Sequence, residues 1–131
     1  MTRSEAREQA FIVLFEKIFD EEASIADIVA NAKEAEIIKI NLFAETILSA
    51  IENNIDTINE VIEKHTKGWS LNRLPKVTLA ILRLAIGEML FVDEVPASVS
   101  VNEAVELTKK YGTNEDASYI NGVLGAVFKS L

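Results

Sequence analysis

The sequence predicts an all-α fold of about seven helices. Only two prolines and five glycines interrupt its 131 residues. Between those breaks apolar residues return at helical spacing, and several segments open with a hydroxyl or Asx residue three positions before an acid. "TRSEAREQAFIVLFEKIFD" opens on Thr2 and Glu5, a capping box, and carries Phe11, Phe15 and Phe19 along one i, i+4, i+8 line. "SIADIVANAKEA" begins with Ser24 and Asp27 at the same spacing, and "NLFAETILSAIENNIDTINEVIEKH" holds two helices parted near Asn53 and Asn54.

The fifth helix, "PKVTLAILRLAIGEMLFV" at 75–92, is apolar on nearly every side, the mark of a central helix that the others pack against. Its length of about 27 Å invites a membrane reading, but Lys76, Arg83 and Glu88 argue against one. "EVPASVSVNEAVELTKKYG" enters through Pro96, with Ser100 and Glu103 as a second box and Gly112 as a left-handed stop. The seventh helix starts with Thr113 and Asp116 and buries Ile120, Val123, Leu124, Val127 and Phe128 as one stripe. Gly122 and Gly125 interrupt that helix at about 0.5–1 kcal/mol each. Two accounts fit: close packing of a neighbouring helix, or a flat flank beside Tyr119 left clear for a ligand.

A chain of this length forms about one domain, here 1–131, with enough core to fold without staples. Cysteine is absent, so thiolate chemistry and disulfides are excluded, and neither a signal peptide nor a long charge-free apolar run occurs. A cytoplasmic, non-membrane protein is expected. The net charge of −8 opposes an anionic ligand at long range, yet residues 21–66 carry three basic and ten acidic groups while 67–131 carry seven of each. Nucleic acid could therefore still be met at the chain's two ends.

Catalytic and metal motifs are not found, so no enzyme, cofactor or metal is expected. His65, the single histidine, reads as a cation at a helix C-terminus. The carboxylate pairs Glu60/Glu63 and Glu103/Glu106 lack a histidine at ligand spacing and read as solvated faces. Arg83, set in the most apolar helix, is expected to pair with Glu88, Glu103 or Glu106.

Four ordered pieces then carry a resemblance: the Trp69 to Leu74 entry, "AILRLAIGEML", "VPASVSVNEAVELTKKYG" and "YINGVL". With "TRSEAREQAFIVLF" at the start, the chain resembles the transcription antitermination factor NusB family. The resemblance implies a NusB-like fold of two packed three-helix bundles. It also implies single-stranded boxA-type RNA as ligand, the ribosomal protein NusE as partner and RNA polymerase as an indirect one. It assigns RNA contacts to Arg3, Arg7, Tyr119, Asn121 and Gly122 and a protein-partner surface to Phe15 and Phe19; apart from the resemblance, Lys109 and Lys110 read as solvated lysines at a helix C-terminus that would add positive potential nearby.

Three departures qualify that reading. Arg3 and Arg7 stand where the family has an arginine cluster, which implies fewer phosphate contacts and a shallower salt dependence. Thr78 replaces a common acid, and Gly87 a common aromatic, the latter loosening the helix by about 1 kcal/mol unless packing compensates. The alternatives are a protein-binding or self-associating helical module, homo-oligomer included, and an accessory domain for an RNA methyltransferase.

Overall fold

A computed structural model describes residues 1–131. It contains seven α-helices and no strand: α1 (Arg3–Phe19), α2 (Ile25–Glu34), α3 (Leu42–Asn53), α4 (Ile55–His65), α5 (Lys76–Phe91), α6 (Ala97–Tyr111) and α7 (Asn114–Ser130). A short 3-10 turn, Leu71–Arg73, precedes α5. The first bundle is α1 to α3 and the second α5 to α7, with α4 braced against α5 and α7. One apolar cluster threads all seven helices, and α5 is its axis, with Ile81, Leu82 and Ile86 fully buried.

Local chemistry sets most boundaries. Thr2 and Glu5 form a reciprocal box, as do Thr113 and Asp116, so each helix start has two of its free amides satisfied. Ser24 accepts from the Asp27 amide, and Asn41 caps α3 in the same way. The break between α3 and α4 falls at Asn54, whose amide side chain donates back to the Ala50 carbonyl at 2.8 Å. After α4 the chain turns through Lys67 and Gly68 at φ 46° and 85°, the second a conformation glycine adopts without strain.

Two expectations are corrected. Helix α6 begins at Pro96 as N-cap with no side-chain cap, and Ser100 faces inward to donate to Glu88 instead of forming a box with Glu103. Gly112 is extended at φ −122°, not left-handed; a Cβ there would lie 2.9 Å from the Asp116 carboxylate that caps α7. Gly112 thus makes room for the next helix's cap.

Gly87 finds its reason in packing. A Cβ at this position would sit 2.4 Å from Ile51 Cγ1, so the bare backbone lets α3 lie directly on α5. The close contact compensates the lost helix propensity. Gly122 and Gly125 behave oppositely, with nothing within 4 Å of an added Cβ at either. Close packing by a neighbouring helix of this chain does not account for them.

Candidate nucleic-acid interface

Arg7 lies on the inner side of α1 and is only 5% exposed. Its Nε and Nη2 each donate to one oxygen of Glu88 at 2.8 Å, and Ser100 Oγ donates to the same carboxylate at 2.7 Å. Nη1 stands 3.7 Å from Glu103, and the guanidinium lies 5.1 Å from the Phe43 ring centroid. This bidentate pair ties α1 to α5 and α6 from inside. Arg7 is therefore corrected from phosphate contact to internal brace, because both strong donor directions are taken and the group is sealed from solvent. The partner expected for Arg83 belongs to Arg7.

Arg3, one turn earlier, is exposed. It stands 4.4 Å over Phe43 and 3.5 Å from Glu94, a pair open to water and weak enough for a phosphate to displace.

At the far end of α6 a second charged cluster forms. Lys110 Nζ donates to Glu8 Oε1 at 2.7 Å, and the Tyr111 hydroxyl donates to the same oxygen at 2.5 Å. The Tyr111 ring packs 4.8 Å from Phe11. Hydrogen bonds from Lys110 and then Tyr111 hold the Glu8 carboxyl below its ordinary range. Burial first, then the hydrogen bond to Glu8 and lastly the Glu8 charge, push the Tyr111 phenol up to about 12. Lys109 is matched in turn by Glu106 at 3.1 Å. Sequence reasoning noted the two lysines but missed Glu8 and Tyr111. They lie about a hundred positions apart, and no periodic pattern links them.

On α7, Tyr119 is 38% exposed, and Asn121 and Gly122 face solvent. Burial of part of the ring raises the Tyr119 phenol pKa. At about 100° per residue Tyr119 shares its flank with Gly122 and Ala126, whereas Asn121 leans to the opposite margin. The two side chains do not converge on one nucleotide. Ser118, Gly122 and Ala126 leave the intervening face nearly smooth and open.

No direct contact joins Arg3 to Tyr119. Helix α1 packs mainly on α2, α3 and α5, and α7 mainly on α4, α5 and α6. Their connection runs through Glu8, Lys110 and Tyr111, immediately before the α7 cap at Thr113. Tyr119 follows Asn114 by about 7.5 Å along the helix axis.

Phe11, Phe15 and Phe19 form an aromatic ridge on α1, with centroids 5.8 and 5.1 Å apart in succession. Phe15 rests against the core, while Phe19 is 65% exposed. Of the remaining candidates, His65 bonds through Nδ1 to the Val61 carbonyl at 2.8 Å, a helix-end contact. Glu103 accepts from Ser4 at 2.9 Å. Arg83 donates to Asn59 at 3.1 Å and pairs with no carboxylate, which corrects the ion pair expected for it. No helix is long and apolar enough to cross a membrane.

Residues 4–129 match the model of the NusB family. The chain is 44% identical to the transcription antitermination protein NusB of Natranaerobius thermophilus, covering 100% of this chain and 97% of that one. It is 39% identical to the NusB of Agathobacter rectalis, covering 95% and 97%. A crystal structure of antitermination factors NusB and NusE in complex with dsRNA superposes with a TM-score of 0.87 at 29% identity, covering 98% and 97%. T. maritima NusB gives 0.86 at 30%, covering 98% and 92%. By sequence over its whole length and by its arrangement of helices, the chain belongs to the NusB family.

Proposed function

We propose that this protein is an RNA-binding transcription antitermination factor, working in the cytoplasm with NusE on boxA-type single-stranded RNA and through that complex on RNA polymerase. The observation that carries the reading is membership of the NusB family together with the similarity to a NusB solved with NusE and RNA. In this reading Arg3, Lys109 and Lys110 meet phosphates, and Tyr119 stacks an unpaired base. Gly122 lets the backbone approach the nucleotide, while Asn121 reads a neighbouring group from the other margin of α7. Phe19, supported by Phe15, faces NusE. The module makes and breaks no bond; its work is binding and assembly.

A fluorescence anisotropy titration of labelled boxA-type RNA, with and without NusE and at two salt concentrations, tests this. RNA binding should tighten when NusE is present, and Tyr119→Ala should weaken it by several-fold to about a hundred-fold without changing the melting curve. The pairing of Arg3, Lys109 and Lys110 with Glu94, Glu106 and Glu8 favours a second reading, a protein-binding or self-associating module. RNA affinity unchanged by both NusE and Tyr119→Ala would decide for that one.

A further inference from the structure

Arg3 is the first residue of α1, directly after the Thr2 cap. A cation in the first turn opposes the helix dipole, so its placement there does not stabilise α1. Two groups from distant elements meet it instead. The Phe43 ring, from the first turn of α3, has its centroid 4.4 Å from the guanidinium carbon, and the Glu94 carboxylate, from the turn between α5 and α6, stands 3.5 Å from Nη2.

These neighbours behave differently toward an incoming phosphate. Glu94 competes for the same N–H donors, and with both side chains more than half exposed its hold is screened by water. Phe43 does not compete. A ring attracts a guanidinium through its quadrupole and supplies no oxygen acceptor, so most of the five N–H donors stay free for a phosphate. The ring is also held in place. Phe43 is half-buried against the core, and Asn41 pins the start of α3 by accepting from the Ala44 amide at 2.9 Å. The second cation near this ring, Arg7 at 5.1 Å, is closed on Glu88 inside the protein. Of the two arginines beside Phe43, Arg3 alone faces solvent.

We propose that Phe43 is a positioning residue for RNA binding: its ring holds the exposed Arg3 guanidinium, already in the free protein, where a phosphate oxygen then meets it, while Glu94 occupies that place until RNA displaces it. The inference rests on the RNA-binding reading and on Arg3 as a phosphate contact. A long arginine side chain carries much rotamer freedom, and an arginine ordered beforehand loses less of it on binding.

Anisotropy titrations of labelled boxA-type RNA, with NusE present, compare the full-length protein with Phe43→Leu, Arg3→Ala and the double variant. Leucine keeps an apolar side chain against the core but has no π-face. Phe43→Leu should weaken binding about two- to five-fold, as expected for a cation–π contact at an exposed site. In the Arg3→Ala background the same substitution should change nothing, and Phe43→Tyr should keep the parent affinity. A purely structural loss at Phe43 would weaken binding equally in both backgrounds. In the RNA-free protein the ring current should move the Arg3 side-chain protons upfield, and Phe43→Leu should abolish that shift. The proposal is overturned by an Arg3 proton shift that survives Phe43→Leu, by unchanged or tighter RNA binding in Phe43→Leu, or by equal losses in both backgrounds. Tyr119→Ala and omission of NusE test the RNA reading separately. A loss with Tyr119→Ala beside none with Phe43→Leu overturns this inference alone, whereas affinity indifferent to Tyr119→Ala, NusE and Phe43→Leu overturns both.

Discussion

Arg7→Ala separates an internal brace from an RNA contact. The substitution strands Glu88, which is 1% exposed, with Ser100 as its one remaining side-chain donor. Removing one partner of a buried ion pair costs about 3–5 kcal/mol, since the other charge stays in a poor solvent without compensation. A chain of this length has on the order of 7–20 kcal/mol of total stability, so the variant should still fold. With each kcal/mol worth about 3–5 °C at this size, melting should fall by roughly 10–20 °C. Circular dichroism on heating measures the drop. RNA anisotropy well below the new transition should then report nearly unchanged affinity. Combining Arg7→Met with Glu88→Met should restore most of the lost stability, because neither charge is left alone. A melting curve within a degree or two of the parent, together with a large loss of RNA affinity, would falsify the brace and return Arg7 to the phosphate contacts.

Three further outcomes follow from particular contacts. Gly87→Ala should destabilise the protein by about 1–2 kcal/mol, overpacking against Ile51 outweighing the gain in helix propensity, whereas Gly125→Ala in open space should stabilise it by about 0.5–1 kcal/mol; a stabilising Gly87→Ala and a destabilising Gly125→Ala in urea unfolding would refute the packing assigned to both. Glu8→Gln frees Lys110 from its carboxylate and should tighten RNA binding a few-fold at low salt, an anisotropy result that no change or a loss would contradict. The Tyr111 phenol, raised in the folded state from 10.0 to about 12, contributes stability that is complete below pH 10 and is lost as pH climbs toward 12. Because Glu8 titrates below its ordinary range, its own contribution is present above pH 4.5 and fades as pH falls. Tyr111→Phe should flatten the alkaline part of that profile, read by denaturant melts at stepped pH.

Helix existence was legible because it rests on short-range chemistry. The boxes at Thr2/Glu5 and Thr113/Asp116, the break at Asn54 and the all-round apolar α5 involve residues within a turn or two of one another. The α6 start misled for the same reason, since Ser100 and Glu103 have the spacing of a box but Glu88 competes for the serine hydroxyl from another helix. Gly87 weakens its own helix locally, and only Ile51, distant in sequence, gives it a packing role. Of the candidate interface, Tyr119, Asn121 and Gly122 are exposed as expected, while Arg7 is inside and Glu8 with Tyr111 was not foreseen.

By itself, then, the sequence determined the number of helices, the caps at Thr2, Ser24 and Thr113, the central place of α5 and, through its ordered motifs, the family. Only the tertiary structure decided which charges are spent and which are free. Arg7 and Arg83 differ little as residues, yet one closes on a buried carboxylate 81 positions away and the other opens into a groove. Helix periodicity is local, with a reach of three or four residues. The fate of a guanidinium depends on which distant carboxylate the packing of helices brings within hydrogen-bonding range, and on whether water is shut out there.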